Sequence, residues 1–388
     1  MNTQRPNQGF IFWPVGNGDS TTVVIGADVT FQVDLNHLDS ADEDGDPHAP
    51  VIDELIALLP KVSGKPYLSA FGLTHPDQDH CRGFARLLKE VHIGELWFTP
   101  RVFREYKNDL SDDAVAFKKE AERRLKKTIQ IGGAAGAGDR VRIVGSDDLL
   151  QEEEFAGFPK ELLTVPGNAV TMLDGVERGT QFRAFVHAPF KDDAAGERNE
   201  ASLGLQVRLI GNGKVGQALL LGDLSYPTVK RIFDVSAAED LVWNVFLAPH
   251  HCSKSVMYWQ DEGVEEETLK QDILDAIENH AGTPGHIVAS CEPVPALNKP
   301  GDNPPHAKAK ARYEGLAPDG FMCTQEHPSK TNPKPIVFAM GTQGLTYVRL
   351  ASAAHTGAAA KTALATAVER GRGGTEAPKD RVGFGEWR

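Results

Sequence analysis

The chain opens on short runs in which β-branched and aromatic residues alternate with polar ones or stand together. Residues 10–15, 21–25 and 30–33 are three such runs, separated by Gly-Asn-Gly-Asp and Gly-Ala-Asp turns, and they predict an antiparallel start to a sheet. Residues 51–59 are amphipathic and helical, closed by Pro60. Residues 67–73 are a continuous apolar run, read as a buried strand. A helical pattern follows at 83–90 and a strand at 93–98. The strand pattern resumes at 169–173, 181–187, 202–210 and 217–221. A helix at 226–233, a strand at 241–247, a helix at 265–280 and a strand at 286–290 come next. The described order ends with a short helix at 307–313 and strands at 335–340 and 345–350. Strands then helices, twice over, predict an α/β (α+β) protein built as an αββα sandwich.

Residues 101–166 interrupt this order. Their centre, Lys118 to Lys127, is helical and carries six basic and two acidic residues. Two roles fit it: a solvated helix laced by i,i+4 pairs, or a helical insertion acting as a lid that brings positive charge to a site. Residues 351–388, rich in Ala, Gly and charge, read as a flexible tail.

Composition narrows the class. At 388 residues, 40% apolar and 24% charged, the chain resembles an ordinary soluble protein. No apolar run approaches the ~18 residues needed to span a bilayer. MNTQRPNQGF has neither the basic nor the apolar region of a signal peptide, so a cytoplasmic location is the default expectation. Cys81, Cys252, Cys291 and Cys323 are far apart and form no CxxC, which argues against a disulfide framework or zinc knuckle. The net charge of −13 opposes tight nonspecific binding of a polyanion by the whole surface.

The chemistry concentrates in Thr74-His75-Pro76-Asp77-Gln78-Asp79-His80. Four metal-capable side chains fall within six residues, on a loop between a buried strand and a helix. Such a loop holds closely spaced ligands at a sheet edge. Two imidazoles with two carboxylates suit Zn²⁺, Mn²⁺ or Fe rather than Ca²⁺ or a thiolate-loving metal. The bland alternative is a solvated turn with a helix-capping Asp.

HPDQDH resembles the HxHxDH signature of the metallo-β-lactamase fold, with Asp77 where most members have the second His. That form, in a Thr-His-Pro-Asp setting, is similar to the soluble domain of ComEC-family competence proteins. Three more stretches match in the family's order: Val15-Gly16-Asn17-Gly18-Asp19-Ser20, Leu221-Gly222-Asp223, and His250-His251-Cys252-Ser253. The resemblance covers roughly residues 10 to 350. It implies one metallo-β-lactamase-fold domain over 1–350, with 101–166 inserted and without the membrane channel that accompanies the domain in competence proteins. It further implies one or two divalent ions, Zn²⁺ or Mn²⁺. His75 and Asp77 would hold one, Asp79, His80 and His250 the second, and Asp223 would bridge them.

The same resemblance makes Asp79, His251 and His306 the catalytic candidates, the two histidines as proton donors or phosphate ligands. His306 reads equally well as a surface residue opening a helix. Asp34 stands where the fold often has an Asp beside the metal site, Asp19 could orient a ligand histidine or merely close a turn, and Asp223 could also cap a helix. Asn199 occupies the place of a usual ligand His; His187, on the preceding strand, either substitutes for it or is structural. Exchanging imidazoles for Asp77 and Asn199 hardens the first site toward Mn²⁺ or Mg²⁺. The function implied is hydrolysis of phosphodiesters, most concretely by a nuclease acting on DNA or RNA. The alternatives are a lactone, thioester or small cyclic nucleotide substrate, or a non-catalytic module of a multi-protein system.

Overall fold

A computed structural model of the chain describes residues 4–104, 110–191 and 199–349; the tail expected at 351–388 lies outside them. The first predicted runs form strands Gly9–Phe12, Thr21–Gly26 and Val29–Val33, paired antiparallel, with Ile336–Gly341 and Gly344–Tyr347 added beyond the first. From Val29–Val33 the sheet continues in parallel through Lys65–Gly72, His92–Phe98, Arg140–Val144 and Leu163–Thr164. The second sheet repeats this plan. Ala169–Val170, Phe182–Ala188, Gly204–Gly211 and Lys214–Leu220 pair antiparallel, and Trp243–Leu247, Ala281–Ala289 and Phe321–Cys323 follow in parallel.

The sheets face each other. Phe10, Phe12, Phe31 and Trp97 from the first pack with Val186, Leu205, Leu220 and Val245 from the second. The outer face of the first sheet is covered by helices Val51–Leu58, Phe84–Glu90 and Asp112–Ile131, through Leu55, Leu87 and Phe117. The outer face of the second is covered by Tyr226–Val235, Gln271–Asn279 and Ala307–Leu316, through Ile232, Ile277 and Tyr313. Parallel strands buried on both faces explain why these segments read as continuous apolar runs. The result is the αββα sandwich that the resemblance implies.

The segment 101–166 is where the structure departs most from the expected lid. Helix Asp112–Ile131 is the crossover joining two parallel strands, His92–Phe98 and Arg140–Val144. Phe117, Ala121, Leu125 and Thr128 recur at helical spacing and are buried, which docks the helix along the sheet's outer face. Arg124 is buried among them. Its guanidinium donates to the carbonyls of Ile93 (3.0 Å), Gly94 (3.3 Å) and Arg140 (3.3 Å), and to Glu120 at 2.7 Å. Arg123 pairs with Glu120 and Asp139, and Lys118 donates to the Phe103 carbonyl. Three of the six cations therefore serve the fold. The helix start does reach the ligand loop: the Asp113 carboxylate accepts from the amides of Gly83 and Ala85, just after His80.

Two smaller differences have local causes. Residues 169–173 split, because Met172–Leu173 turns to pair with Val176–Glu177. The helix expected from 265 starts at Gln271, because Thr268–Leu269 pairs with Tyr258–Trp259. Among the described residues no helix is long and apolar enough to cross a membrane.

Candidate metal centre

The candidate ligands gather beyond the C-terminal ends of the parallel strands. Val29–Val33 delivers Asp34, Lys65–Gly72 delivers the His75–His80 loop, Lys214–Leu220 delivers Asp223, and Trp243–Leu247 delivers His250 and His251. Two glycines make the approach possible. At Gly18 (φ +145°) an added Cβ would lie 2.6 Å from the Asp79 carbonyl and 2.2 Å from the Asn36 side chain. Gly222 takes φ +54°, which turns the chain so that its carbonyl receives the His250 amide at 3.0 Å. His250, His251 and Cys252 follow with φ of 50°, 52° and 66°. This left-handed run is costly for non-glycine residues, and it turns two adjacent imidazoles toward one point.

Three of the rings are oriented from behind. His80 Nδ1 donates to the Asp34 carboxylate at 2.8 Å. His75 Nδ1 lies 3.0 Å from the Thr74 hydroxyl, which itself donates to Asp34 at 2.7 Å. His251 Nδ1 donates to the Ser290 carbonyl at 3.2 Å. With Nδ1 occupied, each ring offers Nε2 to the front, the arrangement by which proteins fix metal-binding imidazoles.

Those Nε2 atoms converge on Asp223. His80 Nε2 is 3.2 Å from Oδ1; His251, His250 and His75 Nε2 are 3.4, 3.7 and 3.9 Å from Oδ2. Asp77 lies 3.5 Å from His75 Nε2, and Asp79 lies 3.3 Å from His251 Nε2. Donor atoms of Asp19, His80, Asp223 and His251 all fall within 4.8 Å of one another. The floor is closed: His75 and His80 are 0% exposed, His251 3% and Asp223 4%. The mouth is formed by the Asp77, His250 and Asp79 side chains, exposed by 26%, 27% and 36%. His75 Nε2, Asp19 Oδ1 and Asp223 Oδ1 are buried without a hydrogen-bond partner. Buried polar atoms are rarely left so, and a nitrogen and carboxylate donor set of this kind fits a divalent cation.

The electrostatics agree. Burial works against a charged His80, but Asp223 and Asp34 carry its pKa well above the ordinary value; Asp223, with Asp19 and Asp79, does the same for His251. Burial would raise Asp223 and Asp79, yet the neighbouring imidazoles hold both carboxyls low. His250 is lowered, chiefly by burial. A cation must displace protons from His80 and His251, so its affinity rises with pH. Between about pH 6 and pH 8 we expect roughly a tenfold gain per pH unit for each proton displaced. Competition titration against a chelator measures this, and a flat profile would remove these imidazoles from the ligand set.

The structure thus gathers His75, Asp77, Asp79, His80, Asp223 and His250 at one place, and adds His251 to the floor. It does not bring His187 there. That ring is closed by Ser236 (2.9 Å) and the Asp240 carbonyl (3.0 Å), and burial takes its pKa down to about 4. Asn199 contributes its carbonyl to Ser202, whose hydroxyl lies 3.3 Å from His75 Nδ1, so this position reaches the site through the backbone. The His306 ring is engaged in its own loop. Its Nδ1 accepts from the Lys254 amide (3.2 Å) and its Nε2 donates to the Asp302 carbonyl (3.1 Å), which spends both nitrogens on holding the loop. The ring-orienting roles of Thr74 and Ser290 are not among the sequence expectations. Adjacency to His75 was a signal for the first; the second acts through a backbone carbonyl and leaves none.

No family model matches the chain, and no curated protein matches it. Among solved structures it is similar to the metallo-β-lactamase SMB-1 bound to 2-mercaptoethanesulfonate, at 13% identity over 64% of this chain and 80% of that one, with a TM-score of 0.30. SMB-1 in a complex with mercaptoacetic acid gives 13% identity, 63% and 80% coverage and 0.32. Unliganded yeast PDE1 gives 10% identity, 81% and 97% coverage and 0.38. At such scores no residue role passes from those proteins to this chain.

Proposed function

We propose that the chain is a metal-dependent hydrolase, and within that class a phosphodiesterase of the ComEC-like type. The observation that carries the reading is the set of four imidazole Nε2 atoms within 3.2–3.9 Å of one buried carboxylate, behind a mouth lined by two more carboxylates. His75, Asp77, His250 and Asp223 would hold one cation, and Asp79, His80, His251 and Asp223 a second, with Asp19 behind them. The donors suit Zn²⁺ or Mn²⁺. Bound there, divalent cations lower the pKa of a water and neutralise charge on an attacked phosphorus.

The chain's own groups do the rest. Asp223, held ionised, supplies the negative charge that keeps the imidazoles in place. Asp79 is an ionised carboxylate at the mouth, within reach of an incoming water. His251 is too deeply buried to hand a proton to a leaving group and serves as a holder. A small or short substrate is favoured over a long polyanion by one specific finding: Arg123, Arg124 and Lys118 of the basic helix are bound into the fold. Short DNA or RNA, and cyclic nucleotides, are therefore the substrates we propose, in a cytoplasmic setting. A non-catalytic role sits poorly with so complete a donor set.

The test is elemental analysis of the purified chain followed by Mn²⁺, Zn²⁺, Mg²⁺ and Ni²⁺ against single-stranded DNA, duplex DNA, RNA, cyclic nucleotides and lactones. We expect about one to two ions per chain, cleavage of diesters and no lactone hydrolysis. Lactone hydrolysis without diester cleavage would move the enzyme to the other substrate class, and a chain that takes up no ion would end the metal reading.

A further inference from the structure

Around Lys254, shortly after His250 and His251 in the chain, lies a cavity of 290 Å³ that the metal centre does not use. Three lysines line it, Lys254, Lys299 and Lys308, in a chain whose net charge is −13; the Lys308 ammonium stands 5.3 Å over the Tyr258 ring. One carboxylate, Glu267, faces them, 2.6 Å from the Lys254 ammonium and 4.0 Å from that of Lys308. The other acidic lining residue, Asp302, is turned into its own loop, where its carboxylate accepts the Lys299 amide at 2.7 Å. Three lysines against two carboxylates leave the lining with one positive charge in excess.

Its walls are tied. His306 joins the Lys254 amide to the Asp302 carbonyl, and its own amide donates to the Cys252 carbonyl at 3.0 Å. Asn298 donates to the Pro305 carbonyl (3.0 Å) and accepts the Ala307 amide (2.7 Å). Asn17, from the turn that leads to Asp19, donates to the Pro304 carbonyl at 3.1 Å. Lys254, on the cavity's wall, follows His250 and His251 closely in the chain, and His306, on the same wall, is hydrogen-bonded to the Cys252 carbonyl between them.

We infer that this cavity seats a second anionic group of the substrate, a phosphate one unit along from the diester that is cut. The inference rests on the phosphodiesterase reading above. Ammonium groups bind phosphate as point charges, and these bonds are among the stronger ones proteins make. A cavity of this size is at the small end of ligand sites, so it admits one phosphate with part of its sugar and no long strand. Such a group occurs on a short linear oligonucleotide with a terminal phosphate and on a cyclic dinucleotide.

The experiment compares the Mn²⁺-loaded full chain with its Lys299→Gln/Lys308→Gln variant; Lys254 is left intact because it sits on the ligand loop. The substrates are thymidylyl-thymidine, the same dinucleotide bearing a 5′-phosphate, a cyclic dinucleotide, and bis(p-nitrophenyl) phosphate. The parent should favour the 5′-phosphorylated dinucleotide by about tenfold in kcat/KM, through KM. The variant should lose that preference, while bis(p-nitrophenyl) phosphate reports whether its metal centre is loaded. A KM rise confined to the cyclic dinucleotide would assign the cavity to the ring compound instead of the linear one. An equal preference in parent and variant would overturn the inference. If no diester is cut, the phosphodiesterase reading fails, and calorimetry with thymidine 3′,5′-bisphosphate still decides the cavity. Binding weakened about tenfold in the variant supports it; identical binding overturns it.

Discussion

Asp223→Ala should strip the protein of metal and lower diester hydrolysis by at least about 10³-fold, roughly 4 kcal/mol of transition-state stabilisation. The size follows from geometry. Among the described residues Asp223 is the one carboxylate within 3.9 Å of all four ligand imidazoles, so its loss breaks both proposed cation positions at once. It also removes the charge that keeps His80 and His251 protonated in the cation-free chain. Asp34 still faces His80, and Asp19 and Asp79 still face His251, so the protein should remain folded while binding nothing. Elemental analysis with circular dichroism checks the pair of outcomes. A variant that keeps its ions would remove Asp223 from the ligand set; the helix cap that the sequence also allowed for it falls to Ser225 instead.

The second large effect belongs to Asp34, which touches no substrate. It takes three donors, from the Thr74 amide, the Thr74 hydroxyl and His80 Nδ1, at 2.7–2.8 Å. Asp34→Asn preserves the shape and tolerates the φ of +55°, but it points an amide donor or a weaker acceptor at His80. Metal affinity should fall roughly 10- to 100-fold. Asp34→Ala removes every acceptor and strains the backbone, and should cost roughly 3 to 5 kcal/mol of stability, as breaking a buried pair does. The sign of the pH dependence is fixed. His80 has a raised pKa, so the stability it draws from its carboxylates is complete below the ordinary histidine pKa and is lost as pH rises through the raised one. With chelator present, denaturant midpoints of parent and Asp34→Asn should therefore converge at high pH. A constant gap from acid to alkaline pH would show that the pair is not what the substitution disrupts.

These two residues also show what a sequence discloses. The loop from His75 to His80 was legible because its donors are close in the chain and follow an apolar strand. Asp223 was legible through its Gly-Asp turn, and the two sheets through their repeated strand-and-helix order. The sequence reading made His250 a ligand and His251 a proton donor, but identical neighbours are told apart only by backbone angles, which place the first at the mouth and the second on the floor. The basic helix misled because Arg124 falls on the apolar stripe with Phe117, Ala121, Leu125 and Thr128. A charge there reads as solvated unless carbonyls from distant strands are known to receive it. His306, open between a catalytic and a helix-opening role, stands at the start of helix Ala307–Leu316, and its partners are main-chain groups, which carry no sequence signal.

The division of the ligands between a local run and distant strands has a consequence for assembly. The run from His75 to His80 remains a chelator when the chain is unfolded, because its donors need no tertiary structure to meet. Asp223, His250 and His251 lie on the other sheet and join only after the two sheets have stacked. A cation thus has a weak home in the denatured chain and a strong one in the native one. Its net contribution to stability is the ratio of the two affinities, smaller than the native affinity alone would suggest. Most of that ratio comes from the second sheet. In this sense the ion acts as a latch between the sheets, closing after they have formed, and it gives little guidance to the early chain.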